Sequence, residues 1–446
     1  MMLYKLLICD EQGSKIYVSQ EIETVKGEVN GRINLYAGNK RISADIIKDK
    51  NLNKDEFKIS RDVLKALHLP LNIKYQVRIN KEGIRFGPVL GLLMAKYKGG
   101  LTKGKLELLN QYGNLYPITG GLIMAFSVEG MDFDKGVIEG YALKMGVGNG
   151  KLTWHKGIFP FPEAVYERVN PPEDIRLKLK EVTDNRMFNS YYFDKWQFYN
   201  MMSDALELKG HIPQTRYYSD FNDVDIMLQS FNSIYLKPAK GTLARGIASV
   251  SKLDGSYIFH LKQFIKPEAP KSKDKAESFI NRIIKSKGYI VQQAVIPLKV
   301  RDRNTSFRVI MQKDETKKWG CTCIIALISG AGNICSNWGD EMAFEDLLIK
   351  NLKLGKERVN KIRKEIIELC TKACKLIDRE DENYGDIGFD VIVDDKYKIW
   401  ILEANKKHYH TVPLWIGDKK SFQSIKSNVM KYLTALSGFD ILTGTN

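Results

Sequence analysis

The chain has 446 residues, yet no apolar run in it approaches the roughly 18 residues that cross a bilayer. Met1-Met-Leu-Tyr-Lys-Leu-Leu-Ile-Cys-Asp10 contains a brief apolar stretch, but neither the apolar core nor the cleavage site of a signal peptide. The six cysteines, Cys9, Cys321, Cys323, Cys335, Cys370 and Cys374, include no Cys-x-x-Cys pair. A zinc site combining them with His408 and His410 would need looser ligand pairs than structural zinc sites use. So few cysteines in a chain of this length imply reduced thiols and a cytoplasmic compartment. Internal repeats and low-complexity tracts are absent. No aromatic RNA-reading signature occurs and the lysines are spread along the chain, so nucleic acid is not an expected partner.

What is present is a basic chain with enough apolar content for a sizeable core. The formal net charge is +16, and hydrophobic residues make up 43%. Such a charge points to an anionic partner, and the length suggests two or three domains.

The pattern along the chain divides into four stretches. Residues 1–88 look β-rich. Within them Phe57 to Ser60 reads as a strand, followed by a short helix that Ser60 caps and Pro70 follows. Residues 89–172 are mixed, with a buried strand at Val89 to Met94, a helix-like segment at Leu101 to Tyr112 and a strand at Gly121 to Phe126. Proline-bearing connectors at Phe159-Pro-Phe-Pro162 and Asn170-Pro-Pro172 mark a boundary. In 173–297 an aromatic helix is expected from Asp194 to Leu208, strands at Ser233 to Lys237 and Gly246 to Val250, a charged helix at Lys273 to Lys287 and a strand at Tyr289 to Ile296. In 298–446 strands are expected at Ser306 to Gln312 and Gly320 to Ile328. The apolar spacing of Ile366, Leu369, Cys370 and Ala373 predicts a long helix over Leu354 to Arg379, and a last helix runs through Leu436.

Two segments carry chemistry. Gly388-Phe-Asp-Val-Ile-Val-Asp-Asp-Lys-Tyr-Lys-Ile-Trp-Ile-Leu-Glu-Ala-Asn405 reads as a β-hairpin with a polar turn at Asp394 to Lys398. If the turn centres on Lys396-Tyr397, Asp390 lies opposite Glu403. Facing acids repel, and a divalent cation removes that penalty. Glu403 and Asn405 share a strand face, so two carboxylates and an amide oxygen converge on a set that suits Mg²⁺. No Asn-Gly or Asp-Gly pair fixes the turn.

The second segment is Ile234-Tyr-Leu-Lys-Pro-Ala-Lys-Gly-Thr-Leu-Ala-Arg-Gly-Ile-Ala-Ser-Val250. Gly241 and Gly246 have the spacing of a P-loop, but no Lys-Ser/Thr and no helix follow. The segment is therefore a loop between two antiparallel strands. Its glycines let backbone N–H groups approach an anion, and Lys237, Lys240 and Arg245 add positive charge. A basic glycine loop and a carboxylate hairpin together supply what a Mg·ATP site requires. Gln292-Gln-Ala-Val-Ile296 offers a strand edge to an adenine.

Lys195 on a helix, Lys237 with its glycine loop, the 289–296 strand, Arg308, Asp390 and Glu403-x-Asn405 follow one another in an order that resembles the ATP-grasp superfamily. Within it, Phe86-Gly-Pro-Val-Leu-Gly-Leu-Leu93, Trp154, Phe161-Pro-Glu-Ala-Val-Tyr166 and Phe188-Asn-Ser-Tyr-Tyr-Phe-Asp-Lys-Trp196 are similar to the YheC/YheD-type group, described as endospore coat-associated. The resemblance implies an α+β ATP-grasp fold of two subdomains, 173–297 and 298–446. A small β-rich module (1–88) and a mixed α/β, pre-ATP-grasp-like domain (89–172) precede them. It also implies that Lys195 and Lys237 contact ATP phosphates, and that Gly241, Thr242 and the residues to Gly246 form a flap. By the same resemblance Gln293 and Val295 sit at the adenine, Arg308 stabilises a phosphoryl group, and Asp390, Glu403 and Asn405 bind Mg²⁺. The activity implied is ATP-dependent joining of a carboxylate to an amine or thiol, with a peptidic or acidic substrate. The alternative is a non-catalytic spore coat-associated protein. The chain departs from the family pattern at Ser306, where an Asp is common, and at Cys335-Ser-Asn-Trp-Gly-Asp-Glu341. His408 or His410 could bind substrate or act as a base, but a surface role is expected.

Overall fold

The computed structural model describes residues 2–22, 31–146, 150–241, 246–261, 267–284, 288–330, 339–378 and 382–441. The first seven strands are β1 (Tyr4–Cys9), β2 (Lys15–Ser19), β3 (Arg32–Ala37), β4 (Lys40–Asp49), β5 (Glu56–Ser60), β6 (Lys74–Asn80) and β7 (Gly83–Gly87). They close into a barrel in the order β1-β5-β2-β4-β3-β7-β6. Alternation drives the closure: Ile33, Leu35 and Ala37 are buried while Arg32, Asn34 and Tyr36 are more exposed. The Ser60 side chain caps helix Arg61–Leu67 by accepting from the Val63 N–H, as its sequence predicts.

The second sheet comprises β8 (Val89–Ala95), β9 (Leu122–Asp132), β10 (Val137–Met145), β11 (Leu152–Pro160), β12 (Ala164–Glu167) and β13 (Met187–Phe188). Its order is β11-β10-β9-β8-β12-β13, with β9, β8, β12 and β13 mutually parallel. Every residue of β8 is buried, as a parallel strand covered on both faces should be. The Leu101–Tyr112 segment splits into helix Lys103–Leu109 and a 3₁₀ turn, Asn110–Gly113.

The third sheet contains β14 (Thr215–Tyr217), β15 (Ser233–Pro238), β16 (Ala248–Leu253), β17 (Ser256–Leu261) and β18 (Tyr289–Gln293), in the order β14-β18-β15-β16-β17. It packs on helices Phe221–Ser230 and Lys273–Ile283 through its own apolar cluster, including Phe221, Val250 and Phe279. β18 stops at Gln293 rather than Ile296, because its neighbours end there: the last pairs are Thr215 with Gln292 and Ile234 with Gln293. The charged helix ends at Ile283, where Ile284 turns extended, and 285–287 lie outside the described residues.

The fourth sheet holds β19 (Lys299–Val300), β20 (Arg303–Lys313), β21 (Trp319–Ser329), β22 (Gly339–Ala343), β23 (Asp386–Val393) and β24 (Ile399–Asn405). Its order is β22-β21-β20-β23-β24, with β19 paired to β20. Helix Lys356–Ile377 lays its buried stripe of Val359, Ile362, Ile366, Leu369, Cys370, Ala373 and Cys374 on this sheet. The aromatic helix is shorter than its sequence suggests. It runs Lys195–Ser203; Ala205 then becomes extended, and a 3₁₀ turn delivers Leu208 to the same core. The last helix, Lys419–Ser437, returns to the second sheet, and its Val429, Met430, Tyr432 and Leu433 join the core shared by that sheet and the barrel. Among the described residues no helix is long and apolar enough to cross a membrane.

Ile366 is fully buried at the centre of the long helix. Ile366→Ala should cost about 2–5 kcal/mol, read as a lower midpoint in urea unfolding. The change Lys361→Ala, at an exposed position of the same helix, should leave the midpoint nearly unmoved.

Candidate functional site

The hairpin of β23 and β24 forms as expected, and Asp390 does pair with Glu403. Its turn is set by a side chain rather than by glycine. The Asp394 carboxylate accepts from the backbone N–H of Lys396 and Lys398 at 2.9 and 2.8 Å and from the Trp400 indole at 2.9 Å. Tyr397 takes up the left-handed conformation that closes the loop.

The pairing depends on a bulge. Near the turn Val391 faces Ile401 and Val393 faces Ile399, and all four side chains are buried in the core. Plain alternation would send Glu403 to that same core side. Instead the register shifts between Asp390 and Val391, leaving Leu402 as the extra residue. Leu402 and Glu403 both line the opposite, cleft side, and Ala404 packs on the core.

On β20, Arg308 pairs with Asp390. Arg308, Asp390 and Glu403 therefore form one row across three strands. The Arg308 Nε–H donates to Asp390 Oδ1 at 2.6 Å. Burial opposes the Arg308 charge, but Asp390 outweighs it and raises its pKa. Burial pushes the Asp390 carboxyl up despite Arg308, and the facing Glu403 pushes the same way. Burial also opposes the Glu403 charge, but Lys195, Asn405 and Asp390 together hold its carboxyl below the usual range. The proton affinities of the two acids are thus driven apart, with Glu403 the firmer anion. The Asn405 amide nitrogen lies 3.3 Å from Asp390 Oδ2 and 3.1 Å from Glu403 Oε1. Rotating that amide by half a turn would present its oxygen instead.

A cleft of about 760 Å³, open on one side, runs from this row to the third sheet. Lys195, Lys237, Gln293, Val295, Asp390 and Glu403 all line it, with Tyr235, Gln292, Asn304, Thr305 and Ser306. Lys195 opens its helix behind an Asp194–Gln197 capping box, which aims it at the cleft. Its ammonium lies 3.3 Å from Glu403 Oε2 and donates to the Gly241 carbonyl at 3.1 Å. The Lys237 ammonium donates to Gln292 Oε1 at 2.7 Å, and the Gln292 amide donates to Thr215 at 3.0 Å. The glycine loop joins antiparallel β15 and β16, as its sequence requires. Lys240 is exposed at its start. Gly246 has φ +73°, and a Cβ there would meet the Tyr289 hydroxyl at 2.9 Å. Thr242 and Arg245 lie outside the described residues, as do residues 335–338 of the segment that begins at Cys335.

His408 and His410 are not on the surface, contrary to expectation; they are 2% and 4% exposed. Just past the clamp the chain turns inward, because both imidazoles face the wholly buried Asp386. Their Nε2 atoms lie 2.9 and 2.8 Å from its two oxygens. Gln312 also donates to Asp386 at 2.9 Å, Tyr166 donates at 2.5 Å, and Arg168 lies 3.5 Å away. The two histidines and Asp386 have the spacing of a metal site. However, Arg168 and Lys426 approach His410 at 3.3 and 3.1 Å, and a divalent cation there would meet the fixed guanidinium charge of Arg168 and a donor already occupying the His410 ring. The set is a hydrogen-bonded ion cluster. Burial opposes the Asp386 charge, but the facing imidazoles outweigh it and hold the carboxyl well below its usual range. Burial also lowers both imidazole pKa values. Near neutrality each is therefore uncharged and donates through Nε2–H, and His410 Nδ1 accepts from Lys426.

The sequence reading missed Asp386, Arg168, Tyr166, Gln312 and Lys426. One signal was available: Asp386 is four residues before Asp390 on the same strand face. Gly388 stands between them because its missing side chain makes room for His408; a Cβ there would meet His408 Cβ and Cγ at 2.8 Å.

Two α+β layers closing on a cleft lined by lysines and by an acid-bearing hairpin are the ATP-grasp architecture. A family model described as YheC/D-like ATP-grasp matches residues 184–436, and the chain belongs to that family. It is 25% identical over 366 residues to the endospore coat-associated protein YheD of Bacillus subtilis (strain 168), covering 78% of this chain and 79% of that one. It is 20% identical over 283 residues to YheC of the same organism, covering 57% and 73%. Similar solved structures include the ATP-grasp ligase PsnB, with a TM-score of 0.45, 12% identity, and 78% and 98% coverage. They also include D-alanyl-alanine synthetase A from Vibrio cholerae O1 biovar eltor str. N16961, with a TM-score of 0.44, 13% identity, and 78% and 99% coverage.

Gly388→Ala should cost about 1–3 kcal/mol through overpacking against His408, seen in urea unfolding. The histidines supply a pH signature. Their folded pKa values lie below the unfolded value of about 6.5. Their contribution is therefore complete above pH ~6.5 and is lost as pH falls below it. The urea midpoint should drop between pH 7.5 and 5.5, and His410→Gln should flatten that slope.

Proposed function

We propose that this protein is an ATP-dependent ligase that activates a carboxylate as its acyl phosphate and passes it to an amine or thiol. The observation that carries this reading is the Asp390–Glu403 pair, backed by Arg308 on the next strand, lining one cleft together with Lys195 and Lys237. In this reading 173–297 and 298–446 are the subdomains that hold the nucleotide, preceded by the 1–88 and 89–172 modules.

The donor set fits Mg²⁺. Asp390, Glu403 and a rotated Asn405 offer only oxygen ligands, and two acids kept close by cations are ready to take a harder positive charge. Bound there, Mg²⁺ would neutralise charge on the transferring phosphoryl group. Lys195 and Lys237 would exchange Glu403 and Gln292 for phosphate oxygens. Gln293 and Val295 would border the adenine, and Tyr235 and Ile247 add apolar surface beside them. Gly241 to Gly246, with Lys240, Thr242 and Arg245, would cover the triphosphate, donating backbone N–H groups. Arg308 is held in place by Asp390 and would stabilise charge on the phosphoryl or acyl-phosphate oxygens.

The similarity to YheD favours a second reading, a spore coat-associated protein that binds ATP without turning it over. Melting curves with and without Mg·ATP test binding: nucleotide at 100 Kd should add about 2.7 kcal/mol of stability. ADP release with a panel of carboxylates and amines separates the readings. In the ligase reading Asp390→Asn and Glu403→Gln each reduce ADP release at least a hundredfold while folding is kept. Normal turnover by either variant defeats the metal assignment, and binding without turnover in the wild type favours the coat reading.

A further inference from the structure

A strand at the edge of a sheet presents a row of unpaired N–H and C=O groups, and native proteins seldom leave a long one open. β11 is such an edge. It is nine residues long, stands last in the second sheet and pairs with β10 alone among the described residues. Its register fixes which backbone groups point away. The Gly146 N–H donates to the Lys151 carbonyl at 2.8 Å, and in an antiparallel ladder hydrogen-bonded pairs recur at every second residue. His155 and Gly157 therefore bond inward to Ala142 and Gly140, while Trp154, Lys156 and Ile158 aim their N–H and C=O groups outward. No backbone group of the described residues meets them.

A groove of about 670 Å³ lies along this edge. His155, Gly157 and Phe159 belong to one face of the sheet and Lys156 and Ile158 to the other, yet all five line the groove. A groove that draws on both faces follows the edge itself. Its other wall is the helix Arg61–Leu67 and the turn after it, at Leu64, Lys65, His68, Leu69 and Pro70. Leu69 and Phe159 are buried there, and Ile158 is 57% exposed.

The charge along the groove has one sign. Lys65, Lys144 and Lys156 line it with two imidazoles and no acid. Lys156 has Glu139 at 2.7 Å, but Lys65 and Lys144 have no acidic partner among the described residues. This decides between occupants. Two copies of β11 laid edge to edge would bring these cations together, which is how lysines guard an edge. A strand that carries acids meets the opposite sign, and Ile158 and Phe159 offer contacts to its apolar residues. The groove is separate from the Lys195–Glu403 cleft. β12, which leads to Tyr166 and the Asp386 cluster, stands four strand spacings from β11, about 19 Å.

We propose that this groove docks another protein through an extended acidic segment, which adds to β11 as a further strand. Backbone bonds to Trp154, Lys156 and Ile158 supply the affinity, and Lys65 and Lys144 select for acids. The docking needs neither nucleotide nor the ligase reading.

The test uses a fluorescein-labelled peptide of four Glu-Val repeats in anisotropy titrations at physiological ionic strength, with four Lys-Val repeats as the control. The wild type should bind the Glu-Val peptide saturably and the Lys-Val peptide at least tenfold more weakly. Two further Glu-Val peptides, N-methylated on every Val or on every Glu, report strand pairing. Only one of these sets of N–H groups faces β11, so their affinities should differ at least tenfold. Ile158→Pro removes an outward N–H and leaves the pairing with β10 intact; Lys65→Glu with Lys144→Glu reverses the charge. Each should weaken binding at least tenfold. Lys361→Glu with Lys364→Glu, on the exposed side of the long helix, should change it less than twofold. Should Ile158→Pro fail to fold, the charge reversal and the methylated pair decide. Equal binding of the two methylated peptides, equal weakening by the two charge reversals, or no saturable binding overturns the proposal. So does tighter binding of a labelled oligothymidylate at the same lysines, which assigns the groove to nucleic acid. Self-association of the wild type that Ile158→Pro abolishes also overturns it, by assigning the edge to a second copy of the chain.

Discussion

The geometry of the cleft depends on one buried anion. Asp386 is wholly enclosed, and burying a carboxylate costs several kcal/mol unless its oxygens are met by donors. Those donors come from distant parts of the chain: Tyr166 and Arg168 from the second sheet, Gln312 from β20, and His408 and His410 from the segment after β24. Meeting its oxygens ties these elements to one another. Asn189 completes the joint: its side-chain amide bonds the carbonyls of Asp386 and Lys406, and its side-chain oxygen accepts from the Gly385 and Asp386 N–H groups. The end of β24, and with it Asn405, is thereby held against the second sheet.

The clamp itself is a pair of acids flanked by cations. Arg308, Asp390, Glu403 and Lys195 run positive, negative, negative, positive, with contacts of 2.6 Å at one end and 3.3 Å at the other. Each acid is thus held by a cation that phosphate oxygens would also attract. The flanking cations offset part of the repulsion between the two acids.

Much of this was legible in the sequence, for identifiable reasons. The hairpin was readable because its strands are short, apolar and separated by a polar turn. The glycine loop was readable because Gly241 and Gly246 lack the residues that a P-loop requires. The family resemblance linked Lys195 and Arg308 to the same site. The Asp386 cluster was not legible, since its members are separated by up to 314 positions, as between Tyr112 and Lys426, and no local pattern joins them. His408 and His410 looked superficial because Lys406, Lys407 and Tyr409 surround them; only tertiary structure shows that Lys406 is itself buried against Glu167. The 194–208 helix was read too long because composition does not reveal the extended Ala205 that lets Leu208 turn into the core.

The extra residue at Leu402 has a consequence for how this hairpin tolerates change. It sets the inward-outward phase of the tip independently of the phase of the acids. The apolar positions Ile399 and Ile401 can vary with the helix they pack on, and the tip can be reshaped, while Glu403 keeps its outward aim. Without the bulge, uniform alternation through these same residues would turn the acid into the oily interior. The reading frame of this strand, more than the chemistry of any one side chain in it, is what the hairpin cannot lose.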